Sequence, residues 1–250
     1  MSVPGIEHSH QPSEIARRIQ ASPKHSYLAD FVYGAIDGTV TTFAVVSGVA
    51  GAGLSSEVIV ILSLANLVGD GFSMAASNYL GSRTDAQLLE KARQMERRHI
   101  ANYPEGEREE IRQVFASKGF DGEDLQRVVE VITSDENRWI NTMLTEELGM
   151  SLHRPSALKS AITTFLAFIL VGFIPLAVFV LQLFTASIPP YVYLWSTVLT
   201  GFAFFGIGAA KSRFVGDSWY KSGLETLFVG GMAAVLAYVI GVMLRGILPT

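Results

Sequence analysis

The stretch 66-NLVGDGFSMAASN-78 sets Asn66, Asp70, Met74 and Asn78 four residues apart in a run that is otherwise apolar or small. Four-residue steps drift by about 40° each around an α-helix, so these side chains form one slanted stripe. Upstream, 29-ADFVYGAIDGTVTTFAVVSGVAGAG-53 carries Asp30 and Asp37 seven residues apart, again on one helical face. The combined set offers hard carboxylate and amide oxygens beside one soft thioether. Mg²⁺ and Ca²⁺ have no use for sulfur, whereas Fe²⁺ or Mn²⁺ tolerates such a mixture. Aspartates that can take up protons also offer a way to couple proton movement to metal movement. Plainer roles exist for part of the set: Met74 as gap-filling core, and Asn66 and Asn78 as interhelical hydrogen-bonding glue. Asp37 and Asp70 resist such a role, because a carboxylate within a bilayer costs a few kcal/mol and is usually kept to face an ion, a partner or a cavity.

Those residues need a membrane around them, and the composition supplies one. The chain has 250 residues, 49% of them hydrophobic and only 17% charged, with a formal charge of −4 and a mean hydropathy of +0.34. Its apolar residues are clustered rather than periodic. Five segments reach the roughly 20 residues that a crossing requires, near 30–52, 57–80, 158–184, 190–210 and 224–247. Of 19 Lys and Arg residues, all but Arg245 fall before the first span, between Arg83 and Lys159, or between spans four and five. The loops 51-GAGLSS-56 and 185-TASIPP-190 carry none. By the positive-inside rule, the N-terminus and the segment after span two are expected in the cytosol and the C-terminus outside.

The expected organisation is therefore an all-α membrane protein: a tail (1–27), spans one and two (28–82), a cytosolic helical domain (83–154) and spans three to five (155–250). The inserted segment is rich in Glu, Arg and Lys and reads as several short amphipathic helices, punctuated by 103-YPEG-106, 118-KGFDGED-124 and 133-TSDEN-137. Asp121 and Ser134 are the expected N-caps. Pro175 predicts a kink in span three, and Tyr191, Tyr193 and Trp195 an aromatic belt at the outer end of span four. The segment 12-PSEIARRIQ-20 predicts a turn or two of helix in a mobile tail, with a lipid-surface anchor as the alternative. The first 25 residues contain no apolar signal-peptide core, and the prokaryotic cytoplasmic membrane is the expected location. There is no cysteine, so metal chemistry must use carboxylates, imidazoles, amides or thioethers. The cations follow topology and lack interleaved base-stacking aromatics, which argues against nucleic-acid binding.

In 36-IDGTVTTFAVVSGVAGA-52, 73-SMAASNYLG-81, 138-RWINTMLTEELGM-150, 172-GFIPL-176 and 223-SGLETLFVGG-232, the chain resembles the vacuolar iron transporter family. The similarity covers nearly everything from about residue 28 onward. It implies a homodimer of five-span subunits with the ion path near the dimer axis, and proton-coupled movement of ferrous iron, often also manganese, out of the cytosol. Asp37 and Met74 match the family's translocation-site aspartate and methionine, and Asp30 an acid near the cytosolic mouth. Asn66 departs from the pattern, since plant members carry glutamate there. Asp70, one turn on, is a candidate replacement.

The resemblance further implies that the inserted domain binds metal through glutamates and methionine. Met143 and Glu147 carry over best, one helical turn apart. The other candidates are Glu96, His99, Glu107 and Glu110, in the elements Glu96-x-x-His99 and Glu107-x-x-Glu110. His99 stands where the family pattern has glutamate, and imidazole is a good ligand for Fe²⁺ or Zn²⁺. Gln113, Glu109, Glu130 and Glu146 are alternatives, and a solvated face balanced by arginines is the plainer role for the whole set. The expected activity is transport of Fe²⁺, with Mn²⁺, Zn²⁺ or Co²⁺ as further candidates, by a protein that is not an enzyme and uses no organic cofactor. The competing functions are a membrane-tethered metal sensor or buffer and a ferroxidase. The latter needs two Glu-x-x-His elements, and this sequence contains one.

Overall fold

The computed structural model describes residues 10–20, 26–185 and 191–246, and among these every regular element is helical. The helices are α1 (Pro12–Gln20), α2 (Leu28–Gly51), α3 (Ser56–Asn102), α4 (Pro104–Ser117), α5 (Gly122–Thr133), α6 (Glu136–Thr142), α7 (Ala157–Gly172), α8 (Ile174–Phe184), α9 (Val192–Val215) and α10 (Trp219–Arg245). Four of them, α2, α3, α9 and α10, are each long and apolar enough to cross a bilayer. The pair α7 and α8 makes a fifth crossing if taken as one span, bent by 54°. The break falls at Phe173, just ahead of Pro175, whose ring cannot donate to the helical ladder. In α9, the Ser196 hydroxyl donates to the Pro175 carbonyl at 2.5 Å, tying the broken span to its neighbour.

Helix α2 runs through the middle of the bundle, against α3, α7, α8, α9 and α10. Its small residues make this possible. Gly34 and Gly38 bring it onto the backbone of α7, and Gly48 and Gly51 onto that of α10. Such seams let bare backbones meet where lipid gives no hydrophobic drive for association. A Cβ added at Gly38 would lie 2.5 Å from the Phe168 carbonyl oxygen, a backbone atom with little room to move. Gly38→Ala is therefore expected to cost about 1–3 kcal/mol by overpacking, read as a lower midpoint of thermal unfolding in detergent. Gly81→Ala, in α3 with nothing within 4 Å of the new methyl, should leave the midpoint unchanged or raise it.

The second span does not stop where its apolar stretch stops. Helix α3 is 47 residues long, about 70 Å at 1.5 Å per residue, so its polar half continues straight into the insert. The expectation of separate short helices from residue 83 is thus corrected for the first twenty residues: 82-SRTDAQLLEKARQMERRHIAN-102 contains neither Pro nor Gly, and nothing interrupts the ladder before Pro104. That proline opens α4 after the single connecting residue Tyr103. The other turns fall where expected. Asp121 is the N-cap of α5, but Asp135 rather than Ser134 caps α6, its carboxylate accepting the Arg138 amide at 2.8 Å. Ser134 instead closes α5 and donates to the Val131 carbonyl.

After α6 the chain widens into a π-helical turn, Met143–Glu147. The insert has its own core of Ile111, Val129, Ile132, Trp139 and Met143, with a second cluster of Leu89, Ile140 and Leu144. At the opposite end of the bundle, the Arg245 guanidinium sits beside Gly53, so the α2–α3 loop and the end of α10 share one end. Tyr191 and Trp195 are exposed there, but Tyr193 is not part of an aromatic belt. Two residues along a helix turn a side chain to the far face. Tyr193 is therefore stacked between Phe43 and Tyr238, with its hydroxyl 3.3 Å from that of Ser47. Helix α1 forms over all nine residues of its segment, with an Arg17–Glu14 ion pair at 2.5 Å.

Candidate metal sites

Helices α2 and α3 form an antiparallel hairpin whose register decides which polar residues meet. Asn78 donates at 2.8 Å to Asp30 and also at 2.8 Å to the hydroxyl of Thr164 on α7. One amide thus fastens three helices. Two turns deeper, Asp37 on α2 and Asp70 on α3 lie at matching depth, within electrostatic reach of each other. Met74 follows one turn from Asp70 and is half-buried. Asp37 and Asp70 both lie on the outside of the single chain, beside the exposed side chains of Tyr33, Val68 and Phe72. Asn66 is half-buried, and its Nδ2 has no hydrogen-bond partner among the described residues.

The predicted membrane residues therefore separate into two groups. Asp30 and Asn78 belong to a polar clasp, whereas Asp37 and Asp70 are exposed and within electrostatic reach of each other, with Met74 one turn from Asp70. Thr164, the third member of the clasp, was not singled out from sequence. The signal was there in 162-ITTF-165, two adjacent hydroxyl side chains at the head of the apolar run 165-FLAFILVG-172.

A second constellation lies in the insert. Glu96 and His99 are one turn apart on α3, and Glu107 comes from the first turn of α4. One ligand atom from each lies within 4.8 Å of the other two, and His99 Nδ1 is 3.3 Å from Glu107 Oε1. A metal with bonds of about 2.0–2.2 Å holds neighbouring donors roughly 3.0–3.5 Å apart, so the three need only close in slightly. Glu96 is 2% exposed and Glu107 5%, and each keeps an Oε2 without a partner. Uncompensated buried carboxylates are costly, which is the usual mark of a group held ready for a cation.

The electrostatics agree. Burial, then the charges of Glu110, Glu96 and Glu147, push the Glu107 carboxyl up to about 7. Burial also raises Glu96, although His99 works against it, and raises Glu147, where Glu110 and Glu96 add to the effect. Five of the predicted insert residues, Glu96, His99, Glu107, Glu110 and Glu147, thus act on one another from α3, α4 and the π turn. Met143, the sixth, is wholly buried in the apolar core beside Ile111 and Trp139. The alternatives lie elsewhere: Glu109 pairs with Arg112 and Gln113, Glu130 with Gln126, and Glu146 with Lys118.

Comparison with known proteins fits this arrangement. A family model described as the VIT family matches residues 28–242. The chain is 30% identical over 225 residues to a vacuolar iron transporter of Toxoplasma gondii, covering 88% of this chain and 74% of the relative. It is 30% identical to a vacuolar iron transporter of Plasmodium berghei (95% and 89% covered). It is 31% identical to vacuolar iron transporter 1 of Arabidopsis thaliana (84% and 82% covered). A match spanning both the hairpin of Asp37 and Asp70 and the whole insert places the chain in the VIT family.

Proposed function

We propose that this protein is a metal-ion transporter that carries Fe²⁺, and Mn²⁺ as a second substrate, out of the cytosol in exchange for protons. The observation that carries it is Asp37 on α2 within electrostatic reach of Asp70 on α3, with Met74 one turn further along the same continuous helix that bears Glu96 and His99. A dication leaving water needs compensating charge, and two carboxylates supply it. The same carboxylates take protons once the ion has gone. Three of the relatives are named as iron transporters, which supports this choice of cargo.

In this scheme the insert is cytosolic and collects metal, α10 ends on the far side, and two copies join along the α2–α3 surface. Lone carboxylates against lipid are expensive, so a second copy burying Asp37 and Asp70 relieves that cost and closes a path between subunits. The protein acts on no covalent bond. Sealed proteoliposomes with an interior pH dye and an Fe²⁺ indicator test the scheme. Metal entry accompanied by a counter-directed proton signal is the expected result. Binding without passage would identify a sensor or buffer, and oxygen uptake on adding Fe²⁺ a ferroxidase.

The role of Asp70 is separable. If it stands in for the carboxylate absent at Asn66, Asp70→Asn should slow Fe²⁺ flux about tenfold or more, as loss of one charge from a desolvated pair does. Undiminished flux would remove Asp70 from the path.

A further inference from the structure

We infer that His99 is a metal-selecting residue of the insert, whose imidazole nitrogen biases the site toward Fe²⁺, Co²⁺ and Zn²⁺ and against Mn²⁺, Mg²⁺ and Ca²⁺. The inference rests on the proposed metal-collecting role of this domain and specifies which ions that role favours. Every other donor grouped here is a carboxylate oxygen, which alone would suit Mg²⁺, Ca²⁺ or Mn²⁺. His99 changes the class of the site. Its Nδ1 belongs to the same group as the Glu96 and Glu107 oxygens, all within 4.8 Å, and nitrogen donors lift affinity along the series from Mn²⁺ through Fe²⁺ and Co²⁺.

Geometry favours a ligand over a surface histidine. Glu96 and His99 are three residues apart within an unbroken helix, so both donors point one way from a rigid support. Glu107 approaches from the start of α4, close to Tyr103, the one-residue connection that fixes where α4 begins. The two flanking carboxylates are buried with an unpartnered oxygen each. The imidazole itself is about half exposed, which leaves coordination positions open to water and gives the metal a way in and out. A carrier that must hand its ion onward needs an open site, unlike the closed four-ligand cage of a structural zinc.

The competing account is that His99 only pairs with Glu107 at 3.3 Å and never touches the ion. The full chain, purified in detergent with Asp37→Ala to remove the membrane site, distinguishes the two. Co²⁺ and Mn²⁺ are titrated at pH 7.5 into this protein and into the same protein bearing His99→Glu or His99→Gln. Circular dichroism serves as the check on folding. The expected result is Co²⁺ bound at least tenfold more tightly than Mn²⁺. In His99→Glu that ratio should shrink about tenfold while Mn²⁺ binding persists, and the visible Co²⁺ bands should shift as nitrogen leaves the coordination shell. An unchanged ratio and unchanged bands in a folded His99→Glu protein would overturn the role of His99 alone. Absence of Co²⁺ and Mn²⁺ binding in every variant would overturn the collecting role of the domain as well.

Discussion

Asp37→Ala is expected to reduce Fe²⁺ flux in proteoliposomes by about a hundredfold or more, while metal binding by the insert stays intact. The size follows from charge. An ion entering the apolar layer forfeits hydration worth tens of kcal/mol in the idealised limit, and Asp37 and Asp70 are acids within electrostatic reach of each other on α2 and α3. Removing one member of a desolvated set of opposite charges costs about 3–5 kcal/mol, and each 1.4 kcal/mol added to a barrier is about tenfold in rate. Asp37→Glu keeps the charge but moves it by a methylene, so partial flux is expected. Full flux through Asp37→Ala would mean that the ion passes elsewhere, and the transport scheme would have to be abandoned.

The second large effect is on pH. Metal must displace the proton of Glu107, whose carboxyl is pushed up to about 7. Affinity for Co²⁺ should therefore fall about tenfold from pH 8 to pH 6 from this group alone. The raised Glu96 and Glu147 carboxyls also take up protons and add to the loss. Glu107→Gln should flatten the profile between pH 6 and 8 and weaken binding throughout.

Without metal the dependence reverses. An acid raised above its unfolded value binds more protons when folded. Its contribution to stability is thus complete below about pH 4.3, the unfolded glutamate value, and is lost as pH rises through about 7. The metal-free protein should unfold at a higher temperature at pH 5 than at pH 8, and saturating metal should oppose that trend at pH 8. A profile that is flat in both states would show that Glu107 is an ordinary exposed carboxylate.

Much of this was legible in the chain because membranes impose coarse, additive rules. Five apolar stretches in the sequence correspond to the four long apolar helices and the bent pair α7 and α8, and charge within apolar stretches singled out Asp37 and Asp70 as candidates. What escaped was set by long-range register. Asn78 belongs to a clasp because α2 and α3 align residue 78 with residue 30, a pairing that spacing along one helix does not reveal. The inward turn of Tyr193 depends on Phe43 and Tyr238, which come from two other helices. In the insert the candidate glutamates look alike in sequence. Burial separates them, by covering Glu96 and Glu107 and leaving Glu109 and Glu130 to solvent. The length of α3 was missed because polarity changes at residue 83 while helix propensity does not.

That length has a mechanical consequence. Met74 and Glu96 are 22 residues apart on one rod, about 33 Å at the helical rise. With no hinge between them, tilting the membrane half by ten degrees would swing the distal donors through about 6 Å. Because α4 follows α3 after one residue and the insert helices pack on α3 and on one another, rocking of this kind would carry Glu96, His99 and Glu107 together, as one body on the end of a lever.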